Sequence, residues 1–124
     1  MRMKSDITCD YLIVCCMDFR IQQAIRSWVG QHLQDKQYDY VGFAGSTKEL
    51  EIILSQIEIA YNLHRVKKVI LIHHEDCMAY GAQGSFDKHA ADLRKARERI
   101  LERHPDLTIA AFYLKLSGEF LPIF

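Results

Sequence analysis

The stretch SQIEIAYNLHRVKKVILIHHEDC, residues 55–77, decides the fold. Its first part continues an apolar stripe of Leu50, Ile53, Leu54, Ile57, Ala60 and Tyr61 at spacings of three and four, the signature of a helix with one buried face. From Val69 to His73 the period changes to a short run rich in β-branched residues, as in a buried strand. It then runs into His74-Glu75-Asp76-Cys77, a polar segment carrying an imidazole and a thiol where a strand would meet solvent. Helix, strand and polar tip in direct succession are the half-unit of a parallel sheet covered by helices.

The flanking sequence repeats the unit. Tyr11 to Cys15, Tyr38 to Phe43 and Leu107 to Leu114 read as further strands. A first helix from about Ile21 to Leu33 carries Ile21, Ala24, Ile25, Trp28 and Val29 on one side. Ser46 followed by Glu49 is a capping-box pattern and predicts the start of the second helix. A third runs from about Asp87 to His104, with Ala90, Leu93, Ala96, Ile100 and Leu101 inward, and is stopped by Pro105. The expectation is an α/β fold with three layers, α/β/α, around a mostly parallel central sheet of four strands joined by right-handed crossovers. The apolar tail of Phe120, Leu121, Ile123 and Phe124 either adds a short edge strand or packs on a partner.

The 124 residues are expected to form a single domain, long enough to bury a core without disulfides. Apolar residues make up 49% and charged residues 26%, ordinary globular usage. With 16 basic and 16 acidic residues the formal net charge is zero, so nothing favours nucleic acid or an anionic membrane as partner. The apolar run from Tyr11 to Cys16 is too short for a signal peptide or a membrane span. A cytoplasmic location is therefore expected, where the four cysteines serve as thiols or metal ligands rather than as disulfides.

In open α/β sheets ligands bind beyond the carboxyl ends of the strands. Cys16, Asp18 and Arg20 follow the first strand, residues 42–46 the second, and His74 to Cys77 the third, so three separate segments meet at one rim. Cys16, His74 and Cys77 supply the three protein ligands of a catalytic zinc site with one position left open. The sulfur and nitrogen donors disfavour magnesium and calcium, while iron remains an alternative.

Cys16-Met17-Asp18-Phe19-Arg20 resembles the Cys-x-Asp-x-Arg motif of beta-class carbonic anhydrases, and His74-Glu75-Asp76-Cys77 resembles their His-x-x-Cys motif. The likeness runs from Tyr11 to Cys77, about half the chain, and its ordered pair of motifs is far more specific than either alone. It implies one zinc per chain on Cys16, His74 and Cys77, with Asp18 and Arg20 as a catalytic dyad. It implies reversible hydration of carbon dioxide to bicarbonate by zinc-bound hydroxide, Asp18 orienting the nucleophile and Arg20 keeping Asp18 ionised. In the same family an aspartate at the position of Asp18 can instead ligate the metal and close the site. A homodimer is the expected assembly.

The chain also departs from the family. Met78 stands where glycine is usual after the second cysteine, and Gly42-Phe43 replaces the usual Arg-Asn before Ala44-Gly45. Only ten residues precede Tyr11, too few for the N-terminal helical arm of longer members. These departures keep two alternatives open: a non-catalytic zinc-binding or anion-sensing homologue, and a hydrolase of another linear substrate such as carbon disulfide or carbonyl sulfide in an apolar pocket of Met78 and Phe43.

Each candidate has a plainer reading beside it. Cysteines are commonly buried packing residues, and Cys9 and Cys15 are expected to be just that, with Cys15 a spare ligand if the register slips. Asp18 and Arg20 could be a solvated ion pair of little worth. His73 is expected to face away from His74, Glu75 and Asp76 to be polar loop residues, and His89 and His104 to lie on the surface, His89 being a proton shuttle only if its loop folds over the site. Gly42 and Gly45 ahead of a helix could cradle an anion, bicarbonate being the natural one.

Overall fold

A computed structural model describes residues 7–124, so readings that touch the first six residues, the short N-terminal lead among them, lie outside it. The order of elements is β1 (Tyr11–Cys15), α1 (Phe19–His32), β2 (Tyr38–Gly42), α2 (Leu50–His64), β3 (Lys68–His74), α3 (Phe86–Arg103), β4 (Thr108–Leu114) and β5 (Phe120–Pro122). The sheet order is β2-β1-β3-β4-β5. The first four strands are parallel, with Ile13 opposite both Tyr40 and Ile70, and Leu71 opposite Ala111. β5 runs antiparallel on β4, pairing Leu114 with Phe120. The expected three-layer architecture is present, and the apolar tail supplies the edge strand.

Strand alternation splits the core in two. Leu12, Val14, Val69 and Leu71 point to one face and pack under Ile53, Leu54 and Ile57 of α2 and Leu93, Ala96 and Ile100 of α3. Ile13, Cys15, Ile70 and Ile72 point to the other and meet Ile21 and Ile25 of α1. The central strands β1 and β3 are buried on both faces, which is why they read as continuous apolar runs rather than alternating ones. Leu71 is fully buried between strands and helices. Leu71→Ala is expected to destabilise the fold by about 2–5 kcal/mol, the usual cost of such a truncation, seen as a lower urea midpoint at an unchanged slope.

One helix start departs from expectation. Helix α2 begins at Leu50 behind Glu49, with no side-chain cap, and the predicted Ser46-Glu49 box does not form. Ser46 sits at φ 56°, a left-handed conformation in place of the extended one an N-cap needs, and its hydroxyl is buried without a partner among the described residues. The 43–48 segment instead folds into tight turns, Ser46 N–H donating to Phe43 O at 2.8 Å and Lys48 N–H to Gly45 O at 3.1 Å. Helices α1 and α3 are capped conventionally: Asp18 accepts from Arg20 N–H, and Ser85 from Lys88 N–H. Among the described residues no helix is long and apolar enough to cross a membrane.

Candidate metal centre

The parallel register carries the tips of β1 and β3 side by side to one edge of the sheet. His74 is the last residue of β3 and has the same parity as Ile70 and Ile72, so it faces the α1 side; Cys16 follows β1, and Cys77 returns in the turn after β3. Asp76 enters that turn at φ 57°. Cys16, His74 and Cys77 are all buried, and their donor atoms lie within 4.8 Å of one another.

These residues fit a thiophilic metal on three counts. Cys16 Sγ and Cys77 Sγ are 3.9 Å apart, close to the roughly 3.8 Å edge that two thiolates span on tetrahedral zinc with bonds near 2.3 Å. His74 Nδ1–H donates to Glu75 O at 2.7 Å, which fixes the tautomer and leaves Nε2 with its lone pair, buried and without a hydrogen-bond partner among the described residues. The third count is charge. Burial pushes the Cys16 thiol up, but contact with His74 and the Gly45 N–H, 3.4 Å from Sγ, bring it down to about 7. Burial and the neighbouring Cys16 hold Cys77 above its ordinary value. Burial pushes His74 down, yet Cys16 and the Glu75 carbonyl raise it overall. Two thiols this close resist ionising together without a cation between them, which is the charge a divalent metal supplies.

Asp18 and Arg20 form the predicted pair. Arg20 donates Nη2 to Asp18 Oδ2 at 2.7 Å and Nε to both carboxylate oxygens at 3.1 and 3.2 Å. The Arg20 guanidinium holds the Asp18 carboxyl at about 2, against burial that raises it. Asp18 Oδ2 lies 3.8 Å from His74 Nε2, at the edge of the donor cluster. Sequence reasoning had missed the partner on the far side of Arg20: Asp76 Oδ2 accepts from Nη1 at 3.0 Å and Asp76 O from Nη2 at 2.9 Å. Asp76 thus pairs with the far edge of the Arg20 guanidinium while remaining exposed. Glu75 turns away, its Oε1 accepting from Leu116 N–H at 2.9 Å.

A cavity of about 560 Å³ opens beside Cys16, with Asp18 and Arg20 on its polar side and Met17, Phe19 and Met78 at its rim. Those three rim residues are 65%, 85% and 76% exposed, an unusual run of bare apolar side chains. Phe43, expected beside Met78, packs instead on the core under α2 and α3. Cys15 is buried and hydrogen-bonds Tyr40 Oη at 2.9 Å, a structural role as expected; the same hydroxyl bonds Gln22, whose amide donates to Cys16 O and Asp18 O. His73 faces away from His74 as expected. His89, expected on the surface, is wholly buried against His73, and His104 is half-buried on the Tyr61 ring.

Fold and donor set together define the class: a parallel-sheet α/β domain with a Cys-His-Cys cluster able to hold a metal at the carboxyl edge of its strands. The chain belongs to the family described as "Putative carbonic anhydrase", whose family model matches residues 7–123. Two curated relatives are described as uncharacterized proteins, one from Rickettsia conorii at 29% identity, covering 86% of this chain and 68% of its own, and one from Rickettsia bellii at 27%, covering 86% and 77%. Among solved structures, carbonic anhydrase from Streptococcus mutans superposes with TM-score 0.66 at 15% identity, covering 98% of this chain and 88% of that one. Beta-carbonic anhydrase isoform I of Trichomonas vaginalis gives 0.64 at 15%, covering 100% and 87%. At such identities the likeness shows a shared fold.

Proposed function

We propose that this chain, as a single domain, is a zinc-dependent carbonic anhydrase that hydrates carbon dioxide reversibly, with Cys16, His74 and Cys77 as zinc ligands and Asp18 and Arg20 as its catalytic dyad. The observation that carries the reading is the meeting of three buried donors, one an orphaned imidazole nitrogen, next to a carboxylate fixed by an arginine. Zinc held there would supply the Lewis acidity that lets a water lose its proton near neutral pH.

The chain's own residues supply the remainder. Two thiolates and a neutral imidazole offset the metal's charge and soften its acidity, which makes orientation by a neighbouring carboxylate more important. Asp18, ionised because Arg20 holds it, accepts a hydrogen bond from the reacting water and aims a lone pair into the cavity. Arg20 cannot swing away freely, because Asp76 fixes its other edge. The apolar rim of Met17, Phe19 and Met78 suits a small linear molecule without charge and sheds the bicarbonate product, while the proton leaves to buffer. That rim also supports the second reading, hydrolysis of carbon disulfide or carbonyl sulfide by the same machinery.

The bare rim residues further support a homodimer that covers them; solved relatives by fold include beta-carbonic anhydrases of Sordaria macrospora described as tetrameric. Four free cysteines support a reducing, cytoplasmic setting. The test is stopped-flow hydration by zinc-loaded protein. Hydration well above the metal-free control is expected; a protein with about one zinc per chain and no hydration from neutral to alkaline pH would be a binding or sensing homologue instead.

A further inference from the structure

Behind the metal cluster, on the opposite face of the sheet, lies a chain of buried polar groups that the proposed reaction does not use. Thr47 Oγ1 is 2.7 Å from His73 Nε2, and His73 Nδ1 is 2.7 Å from His89 Nδ1. All three side chains are nearly or wholly buried. Two imidazoles meeting Nδ1 to Nδ1 at 2.7 Å have one proton between them, and His89 Nε2 has no partner among the described residues. The arrangement without an orphaned donor has His89 Nδ1–H donating to His73 and His73 Nε2–H donating to Thr47.

Buried imidazoles cost more than an apolar pair of the same volume. What this pair does instead is tie three elements together: the 43–48 segment through Thr47, β3 through His73 and α3 through His89. Thr47 is two residues from Gly45, whose N–H points at Cys16 Sγ. Gly45 has φ 80°, which glycine adopts freely, but Ser46 has φ 56°, a left-handed conformation that a non-glycine residue keeps only where contacts hold it. Tyr80 makes a parallel tie. Its N–H donates to Cys77 O at 3.0 Å, its ring lies 4.0 Å from His89, and its hydroxyl donates to Asp92 of α3 at 2.6 Å.

We propose that His73 and His89 are positioning residues for the metal centre: through Thr47 they fix the strained loop that presents the Gly45 N–H to the Cys16 thiolate, and so set how tightly and in what geometry the metal is held. The proposal rests on the zinc reading above, and touches neither substrate nor reacting atoms. It makes α3, remote from the cavity, part of the site's support.

Three variants of the full chain test it: Thr47→Val, which keeps shape and removes only the hydroxyl; His89→Leu; and His89→Asn, whose amide reaches the place of Nδ1. Zinc affinity is read by chelator competition, ligand geometry by the thiolate-to-metal and d–d bands of the cobalt-substituted protein, and folding by the melting temperature without metal. T47V and H89L are each expected to weaken zinc binding by roughly tenfold, the low end of the range for lost outer partners of a metal ligand because they act through the Gly45 N–H, and to shift the cobalt bands. Their effects should not add in the double variant, because both break one chain. H89N should recover most of the affinity. Should H89L fail to fold, T47V decides alone. Wild-type protein that holds zinc while T47V and H89L bind it equally well overturns the proposal, as does a loss that H89N shares and that merely follows the melting temperature. Wild-type protein that holds no zinc overturns the metal site itself and this role with it.

Discussion

Cys16→Ser is expected to weaken zinc binding by more than about a hundredfold, beyond what loss of an outer partner of a ligand does, and to abolish hydration with it. Serine preserves the size of the side chain, so the packing around residue 16 should survive. What goes is the thiolate. An unperturbed alcohol does not ionise near neutral pH, whereas Cys16 is poised at about 7 by His74 and the Gly45 N–H against the cost of burial. With one sulfur gone, His74 and Cys77 remain as two donors, one short of the set a catalytic zinc site needs. Zinc content by elemental analysis, set beside an unchanged circular dichroism spectrum, checks the result. Cys15→Ser is the control one residue away: Cys15 faces Tyr40 rather than the cluster, so its loss should leave zinc content as it was.

Asp18→Ala is expected to keep its zinc and lose roughly a hundred- to a thousandfold in kcat/KM for hydration, inside the span typical of a positioned proton-handling group. Zinc content and stopped-flow rates on one preparation separate the two effects. The acid side of the rate profile should not report Asp18. Its folded value, held at about 2 by Arg20, lies below the ordinary carboxylate range, so its share of stability is complete above that range and is lost only as pH falls towards 2. Asp18 Oδ2 is already 3.8 Å from His74 Nε2. A carboxylate released by Arg20→Ala therefore has a short path to the open metal position, and that variant should lose activity while holding zinc at least as tightly.

The fold was legible because its central strands are buried on both faces and its helices on one, which writes two distinct periods into the chain. The Cys-His-Cys cluster was legible for a related reason: Cys16 and His74 end or follow strands of one parallel sheet, whose carboxyl ends all lie at the same edge. Contacts between distant segments were not legible. Ser46 and Glu49 carry the right side chains for a cap, but Gly45 is drawn to Cys16 and Thr47 to His73, and those bonds hold Ser46 in a left-handed turn instead. His89 lies between Lys88 and two alanines near a helix start and reads as solvent-facing; the rings of His73, Tyr80 and Tyr113, all from other segments, account for its burial. Asp76 looked like loop polarity because its partner Arg20 is 56 residues away. Phe43 was expected to form an apolar pocket with Met78, because Gly42-Phe43 stands where the family has Arg-Asn, yet the turn after β2 sends its ring to the core.

X-ray absorption at the zinc edge of protein purified without added chelator tests the central claim most directly. Two sulfur scatterers near 2.3 Å, one imidazole nitrogen near 2.0–2.1 Å and a single further light atom are expected. A shell of light atoms only, or protein whose Cys16 and Cys77 thiols react freely and which carries no zinc, would contradict it.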